Sequence, residues 1–468
     1  MKRVKIEELK KYIDKTVKVC GRVDTRRDHG KLIFLDVRDE TGKVQVVVLP
    51  KPEEIHSLAD ELRSEWVIEM EGLVKERPAK MVNPDEAMGG LEVELTSLTT
   101  LSKSDTPPFD LSTDGSEINE ELRMKYRYLD LRRRRLQKNI RRRSAVNNFF
   151  RNFLVKNEFV EIETPILTRS TPEGARDYIV PSRIYKGSFY ALPQSPQQYK
   201  QLLMMSGFER YFQIARCMRD EDTRGDRQPE FSQLDIECAF VKREDLMSII
   251  EEMFTAMITE LYPEKHMTQT PWPRLNHKEV LQKYGSDRPD IRKKPGDSSE
   301  LGFAWVVDFP LFEKERSDEG HFLPEHHMFT APKDSDLESL KSSPEKTLSQ
   351  QIDLSLNGFE VAGGSIRIHD AKIQEAVFDL IGFTEEQKKD FSHMFTAFRY
   401  GTPPHGGIAA GLDRLLSVLE NEKSIREVIA FPKTGEGRDP MMDVPSEIGV
   451  GQLKKLGLEI KKMKTNND

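Results

Sequence analysis

Residues 216–237 read RCMRDEDTRGDRQPEFSQLDIE, a loop dense in arginine and carboxylate followed by a run of alternating character. Arg219, Arg224 and Arg227 are interleaved with Asp220, Glu221, Asp222 and Asp226. In the run that follows, Phe231, Gln233, Asp235 and Glu237 share one face of a strand, and Leu234, Ile236 and Cys238 share the other. An aromatic ring, an amide and two carboxylates make a poor core. They make a floor for a polar ligand beneath a stacked base, and the adjoining arginines suit a polyphosphate because a planar guanidinium bonds two oxygens at once. Such a set could hold a phosphate ester beside a small zwitterion. Taken alone, a charged loop of this kind reads equally well as a solvated turn. A second informative stretch is the hairpin 353–367, where Asn357-Gly358 is a tight-turn signal between Asp353 and Glu360. Strict alternation puts Glu360 and Arg367 on opposite faces, so a common site requires a bulge at Ala362-Gly363-Gly364.

Residues of this kind need a sheet to carry them. At 468 residues the chain exceeds one compact core, and two or three domains are expected. Its 72 Lys and Arg against 79 Asp and Glu give a net charge of −7, which excludes a generic polyanion binder. Nucleic-acid contact then falls to local patches: Arg22, Arg26, Arg27 and Lys31, and the runs Arg132–Arg135 and Arg141–Arg143. Three cysteines without paired spacing argue against a disulfide framework and against a zinc site. The start, MKRVKIEELKKYI, has no apolar signal core, and no stretch approaches the roughly 18–20 apolar residues of a membrane span. A soluble, cytoplasmic chain without a membrane partner is expected.

Residues 1–104 read as a small β-barrel, with strand-like runs at 17–23, 32–38, 44–49, 66–75 and 91–98 and a helix-compatible break at 52–63. Five strands and one helix suit an OB fold, a common binder of single-stranded nucleic acid. Phe34 beside Arg26, Arg27 and Lys31 offers either a stacking ring near positive charge or a core side chain. Residues 105–130, rich in Ser, Thr, Asp and Pro, read as a hinge. A long basic helix starts near Leu131; Val146, Phe149, Phe150, Phe153 and Leu154 form its buried stripe. Its arginines face either solvent or RNA. Residues 131–445 suggest an α+β domain, an antiparallel sheet flanked by helices, and 446–468 form a tail.

Three stretches, FVEIETPIL, RDEDTRGDRQPEFSQLDIE and GIAAGLDRLL, resemble the signature motifs of class II aminoacyl-tRNA synthetases. The text between them, TPEGARDYIVPSR, ALPQSPQQYKQLLMMSGFERYFQI, HHMFTAP, GGSIRIHD and FPKT, is similar in particular to the bacterial type of aspartyl-tRNA synthetases, from about residue 15 to 445. The chain departs from that pattern in lacking the large insertion between the second and third motifs, where only a short linker at 288–302 stands. The usual C-terminal extension looks curtailed, FEVAGGS replaces a triple-glycine sequence, and AAGLDR replaces AFGLDR.

The resemblance implies that ATP and aspartate form aspartyl-adenylate with Mg2+, and that aspartate passes to the 3′ end of tRNA(Asp). It assigns Arg219 to the α-phosphate and Arg414 to the γ-phosphate as the catalytic pair, with adenine on Phe231. Asp220, Glu221, Gln228, Glu360, Gly411, Leu412 and Asp413 would complete the ATP site, and Asp353 with Glu360 would hold the metal. The aspartate side chain would meet Lys200 and Arg367, its ammonium group would meet Glu173, Gln197, Gln233 and Asp235, and His326 would stand beside the ligand carboxylate. Arg27, Phe34, Gln45 and Glu92 would contact the anticodon, while Pro165 and the long helix would form a homodimer interface. Enzymes of this type that also charge tRNA(Asn) tend to carry the histidine found here as His29, but a small residue where this chain has Lys80. The two positions point opposite ways, so the range of tRNA stays open.

Overall fold

A computed structural model of the chain describes residues 1–170, 174–223, 226–333 and 337–461. It divides into two compact units, Met1–Ser112 and Thr113–Asp468. No helix among the described residues is long and apolar enough to cross a membrane.

The first unit is a closed five-stranded barrel built from Thr16–His29, Leu32–Arg38, Lys43–Val48, Val67–Glu76 and Leu91–Ser102. The helix Glu53–Glu61 stands between the third and fourth strands. Alternation sends Ile33, Leu35 and Val37 inward, where they join Val19, Val46 and Val93 in a single core. Residues of the opposite parity are left on the outside.

The second unit carries an eight-stranded sheet in the order Arg274–Asn276, Phe303–Val307, Gln351–Leu356, Phe359–Ile366, His405–Gly411, Glu230–Ala239, Arg210–Met218 and Val160–Glu161. The six central strands run antiparallel. The two edge strands run parallel to their neighbours, which departs from the wholly antiparallel sheet read from the sequence. Each parallel pair is joined through a helix, His277–Tyr284 on one edge and Gln197–Met205 on the other, as a same-direction return requires. One sheet face is apolar: Leu234, Ile236, Cys238, Ile352, Leu354 and Ile408 pack in one core with the helices Arg134–Lys156, Arg243–Leu261 and Leu412–Leu419. Phe150 and Phe254 stack there with centroids 5.4 Å apart. Each such ring adds about 1.5–3 kcal/mol by leaving water.

The segment expected as a hinge, 105–130, divides. Residues 120–130 form two short helices, Glu120–Lys125 and Arg127–Asp130, and belong to the second unit. Asp130 is wholly buried and accepts from Arg123, Arg127 and Arg133. Glu427 accepts from Arg123 at 3.0 and 2.8 Å and from Arg135 at 2.9 Å. Further along the basic helix, Lys138 reaches Glu420 at 2.8 Å, Arg142 stacks over Tyr262, and Arg143 bonds Asp413. Arg133, Arg135, Arg142 and Arg143 are thus neither a solvated face nor an RNA face. Arg135, Arg142 and Arg143 fasten this helix to residues 413–427, partners nearly three hundred positions away in sequence, while Arg133 is held by Asp130 and Thr113.

Candidate active site

The second sheet face is polar, and the pairing registers show how it is assembled. Gln233, Asp235 and Glu237 lie opposite Ala215, Gln213 and Tyr211 on one side and Gly411, Ala409 and Gly407 on the other. Beyond them come Gly363 and Ser365, then Asp353 and Gln351. The strand His405–Gly411 therefore presents glycine and alanine in the middle of the floor, and carboxylates and amides rise on both sides. Small residues here are a requirement: a Cβ at Gly407 would stand 1.8 Å from Glu237 Oε2. At Gly411 it would meet nothing within 4 Å, because open space lies above.

A bulge brings Glu360 onto this face, though not at the glycines. Leu354 pairs with Ala362 and Ser355 with Glu360, so Val361 is the extra residue. Its buried side chain joins the apolar core, which accounts for the extra residue at that place. Glu360, Gly363 and Ser365 then share the polar face with Asp353, and Arg367 follows in phase, its Nη1 2.8 Å from Ser365 Oγ.

At one end of the face lies a knot of four buried charges. Lys200, from the helix Gln197–Met205, sits 2.7 Å from Asp235 Oδ1 and 3.2 Å from Glu237 Oε2. Arg367 meets Glu237 by Nε at 3.0 Å and Nη2 at 3.2 Å. Burial alone would raise the Glu237 pKa; Arg367 and Lys200 outweigh it and hold this carboxyl below its ordinary range. Among the described residues, buried Asp235 Oδ2 and His327 Nε2 have no hydrogen-bond partner. Burial, reinforced by Arg367 and Lys200, keeps the His327 ring neutral, with its pKa pushed down to about 3.

At the other end a cavity of about 270 Å3 is lined by Arg219, Glu221, Phe231, Gln233, Glu360 and Arg414. The Arg219 guanidinium lies over the Phe231 ring, 5.2 Å from its centroid. Arg414 donates to Glu360 O at 2.8 Å and approaches Asp226 at 3.6 Å. Burial and the neighbouring charge of Asp353 push the Glu360 pKa up to about 7. Asp353 accepts from Gln351 at 2.8 Å and faces His326 Nε2 at 3.2 Å. Burial would lower the His326 pKa, but Asp353 more than offsets it and the imidazole is raised.

Several of the expected site positions have protein partners of their own. His326 is drawn to Asp353 and packs against Phe309, so it belongs to the Asp353–Glu360 end. The histidine whose ring feels Arg367 and Lys200 is His327. The Gln228 amide is committed at both ends to the backbone of Lys433, at 2.7 and 3.1 Å, and shapes the cavity wall. Leu412 points its side chain into the core. Asp220 turns to Arg176 at 3.5 Å and lines a separate groove with Tyr178 and Lys433. Asp413 is held between Arg143 and the backbone N–H of Ser232, 3.2 Å away, where the ladder between the two central strands ends. Glu173 and Arg224 lie outside the described residues. In the barrel, Arg27 pairs with Asp36 at 3.1 Å, Phe34 stands opposite Arg27, and Gln45 lies between Asp36 and Glu92. His29 meets the Phe34 ring edge-on at 5.6 Å, whereas Lys80 is exposed on a separate short helix.

A family model described as tRNA synthetases class II (D, K and N) matches residues 119–435, and one for an OB-fold nucleic acid binding domain matches 17–101. The chain belongs to the class II tRNA synthetases. It is 39% identical to an aspartate–tRNA(Asp/Asn) ligase of Rubrobacter xylanophilus over 572 residues, covering 96% of this chain and 95% of that protein. It is 38% identical to an aspartate–tRNA ligase of Staphylococcus saprophyticus over 575 residues, covering 96% of this chain and 97% of that one. Both alignments are longer than the 468 residues here, so those relatives carry segments with no counterpart in this synthetase. Among solved structures, asparaginyl-tRNA synthetase of Pyrococcus horikoshii with asparaginyl-adenylate superposes with a TM-score of 0.75 at 23% identity, covering 93% and 98% of the two chains. A putative aspartyl-tRNA synthetase of Leishmania major gives a TM-score of 0.75 at 21% identity, covering 92% and 94%. These two likenesses concern the fold.

Glu237 and Arg143 are among the residues of this synthetase that the sequence reading of its site leaves unassigned. Glu237 was visible on the polar face but had no assigned role; its spacing from Asp235 was the available signal. Arg143 gave no signal, because its partner Asp413 lies 270 residues away.

Proposed function

We propose that this synthetase joins L-aspartate to tRNA in two steps, through aspartyl-adenylate. The observation that carries the reading is the buried pair Lys200 and Arg367, each held by Glu237 at the foot of a polar floor. Two cations there suit a ligand with a carboxylate side chain, and a neutral asparagine would leave them poorly satisfied. Asp235 Oδ2, buried and without a hydrogen-bond partner among the described residues, suits the ammonium group. ATP fits the opposite end, with adenine at Phe231, the α-phosphate at Arg219 and the γ-phosphate at Arg414. The α-carboxylate of aspartate, already ionised, attacks the α-phosphorus; the bond to the bridging oxygen breaks and pyrophosphate leaves. Both reactants are anions, so the chain contributes position and positive charge and needs no general base. A ribose hydroxyl at the tRNA 3′ end then takes the aspartyl group and AMP departs.

Asp353 and Glu360 fit a hard divalent cation. Both carboxylates line the space above Gly363, where a Cβ would stand 3.1 Å from Asp353 Oδ1 and 3.4 Å from Glu360 Oε1. Mg2+ bound there would neutralise phosphate charge. Outside the catalytic unit, Arg27, Phe34, Gln45 and Glu92 form the anticodon surface of the barrel. The exposed Pro165, Ile166 and Leu167 support a homodimer, and the reading places the protein in the cytoplasm. ATP–pyrophosphate exchange with aspartate or asparagine tests the substrate. Exchange driven by asparagine would overturn the reading, and Lys200→Met or Arg367→Met should cost about 2–5 kcal/mol of aspartate binding. A second reading, charging of tRNA(Asn) as well, draws support from His29 against Phe34 and from relatives named for both tRNAs. Charging purified tRNA(Asp) and tRNA(Asn) decides it; aspartylation of tRNA(Asp) alone would exclude it.

A further inference from the structure

Behind the two cations three buried side chains form a line of hydrogen bonds whose polarity is fixed from one end. His405, wholly buried, opens the strand His405–Gly411; its carbonyl takes the N–H of Arg367 at 2.9 Å, so the ring hangs beside the charged knot. Its Nδ1 lies 2.8 Å from Pro403 O. A carbonyl oxygen only accepts, so Nδ1 carries the proton. Burial keeps the ring neutral by pushing its pKa down, against the opposing charge of Glu237. Nε2 is then a bare lone pair facing Gln201 Nε2 at 3.1 Å, and Gln201 must donate. This turns Gln201 Oε1 towards Gln197, whose Nε2 donates to it at 3.2 Å. Gln201 is wholly buried and Gln197 is 5% exposed, so water does not compete.

Gln197 Oε1 is the end of the line, and no described residue donates to it. From this we infer that His405 and Gln201 are positioning residues that set the amide of Gln197 with its oxygen, rather than its N–H, towards the substrate's ammonium group. The inference rests on the aspartate reading above, in which Gln197 receives that group. The two ends of an amide have nearly the same shape, so packing alone does not choose between them; the hydrogen-bond network does. A reversed amide would present a donor to a cation. Gln197 and Gln201 stand at i and i+4 on the helix that also presents Lys200, so one helix offers a cation to the substrate side chain and an oxygen to its ammonium.

Steady-state ATP–pyrophosphate exchange on the full-length enzyme tests this with Gln197→Ala, Gln201→Met, His405→Phe and His405→Gln. Gln201→Met and His405→Phe should raise the KM for aspartate about tenfold, the scale of one hydrogen bond to a charged group, with the KM for ATP within about twofold. The inhibition constant of succinate, which has both carboxylates and no ammonium, should stay within about twofold in the same variants. His405→Gln, whose amide oxygen can replace the Nε2 lone pair, should recover most of the loss. Should His405→Phe not fold, Gln201→Met carries the test alone, since a thioether of similar length fills the same space. An unchanged KM for aspartate in Gln201→Met, beside a raised one in Gln197→Ala, would overturn the positioning role and leave the substrate reading intact. An unchanged KM in Gln197→Ala would overturn the inference together with the assigned role of Gln197. Equal weakening of succinate and aspartate would reduce the line to a structural one.

Discussion

Gly407→Ala puts the geometry of the charged knot to a severe test. The added Cβ has no rotamer to escape into: it would stand 1.8 Å from Glu237 Oε2, 2.6 Å from Glu237 Cδ and 2.3 Å from Ile236 O. Either the two central strands part or Glu237 is expelled, and Glu237 is what holds Arg367 and Lys200. Leaving buried charges unpaired costs about 3–5 kcal/mol. Overpacking against a backbone carbonyl adds about 1–3 kcal/mol. Together these approach the whole stability of a typical domain, about 5–15 kcal/mol. Calorimetry should show the melting of the catalytic unit lowered by about 10 °C or more, and exchange assays should show aspartate activation lost with it. Gly411→Ala, four residues along the same strand, is the matched comparison, because its Cβ would meet nothing within 4 Å. It should melt within about 2 °C of the parent, while its methyl group, projecting into the nucleotide cavity, raises the KM for ATP and leaves that for aspartate alone. A Gly407→Ala protein that melts normally and activates aspartate would refute the description of Glu237 as the fixed centre of the knot.

Three further outcomes are expected. Glu360, with its pKa raised from 4.5 to about 7, binds a proton more tightly folded than unfolded, so its contribution to stability is present at low pH and lost as pH rises from 4.5 through 7. A divalent cation must displace that proton, so Mg2+ affinity measured by calorimetry should climb between pH 6 and pH 8, and a flat profile would exclude Glu360 as a ligand. Arg143→Ala frees Asp413 from one side and should raise the KM for ATP by about tenfold while Arg151→Ala, an exposed pair on the same helix, changes nothing; equal effects would rule out the clamp on Asp413 and Ser232. Glu427→Gln removes a buried partner of Arg123 and should destabilise the catalytic unit by about 3–5 kcal/mol; a loss under about 1 kcal/mol in urea titration would mean that the network is ornamental to stability.

Local pattern was legible and distant pairing was not. The period-two alternation through Phe231, Gln233, Asp235 and Glu237 places these side chains on one face because a strand leaves no other choice, and the pairing registers agree. The barrel was readable for the same reason: alternating valines with turns between them can bury only one parity. The bulge needed to unite Glu360 with Arg367 could be inferred from parity, yet its place at Val361 depended on which residue the core would accept. That His326 meets Asp353 while His327 feels Arg367 and Lys200 depends on strands distant in sequence. The arginine run was ambiguous in principle, since its carboxylate partners occur near the far end of the chain and no periodicity marks them. The antiparallel reading failed only at the edges, where a two- or three-residue strand has too little pattern to show its direction.

The ion network between residues 123–143 and 413–427 also imposes an order on synthesis. A chain leaves the ribosome at about 5–20 residues per second, and its domains generally fold as units, the N-terminal one first. The barrel has all its strands once residue 102 has emerged. The helix Arg134–Lys156 emerges next, but Glu422 and Glu427 follow almost three hundred residues later. At that rate Arg135 and Arg143 stay without these partners for about tens of seconds and keep their water. Closure waits for the segment bearing Asp413 and Arg414, so the last strand of the sheet and the helix that follows it are also those that complete the nucleotide site.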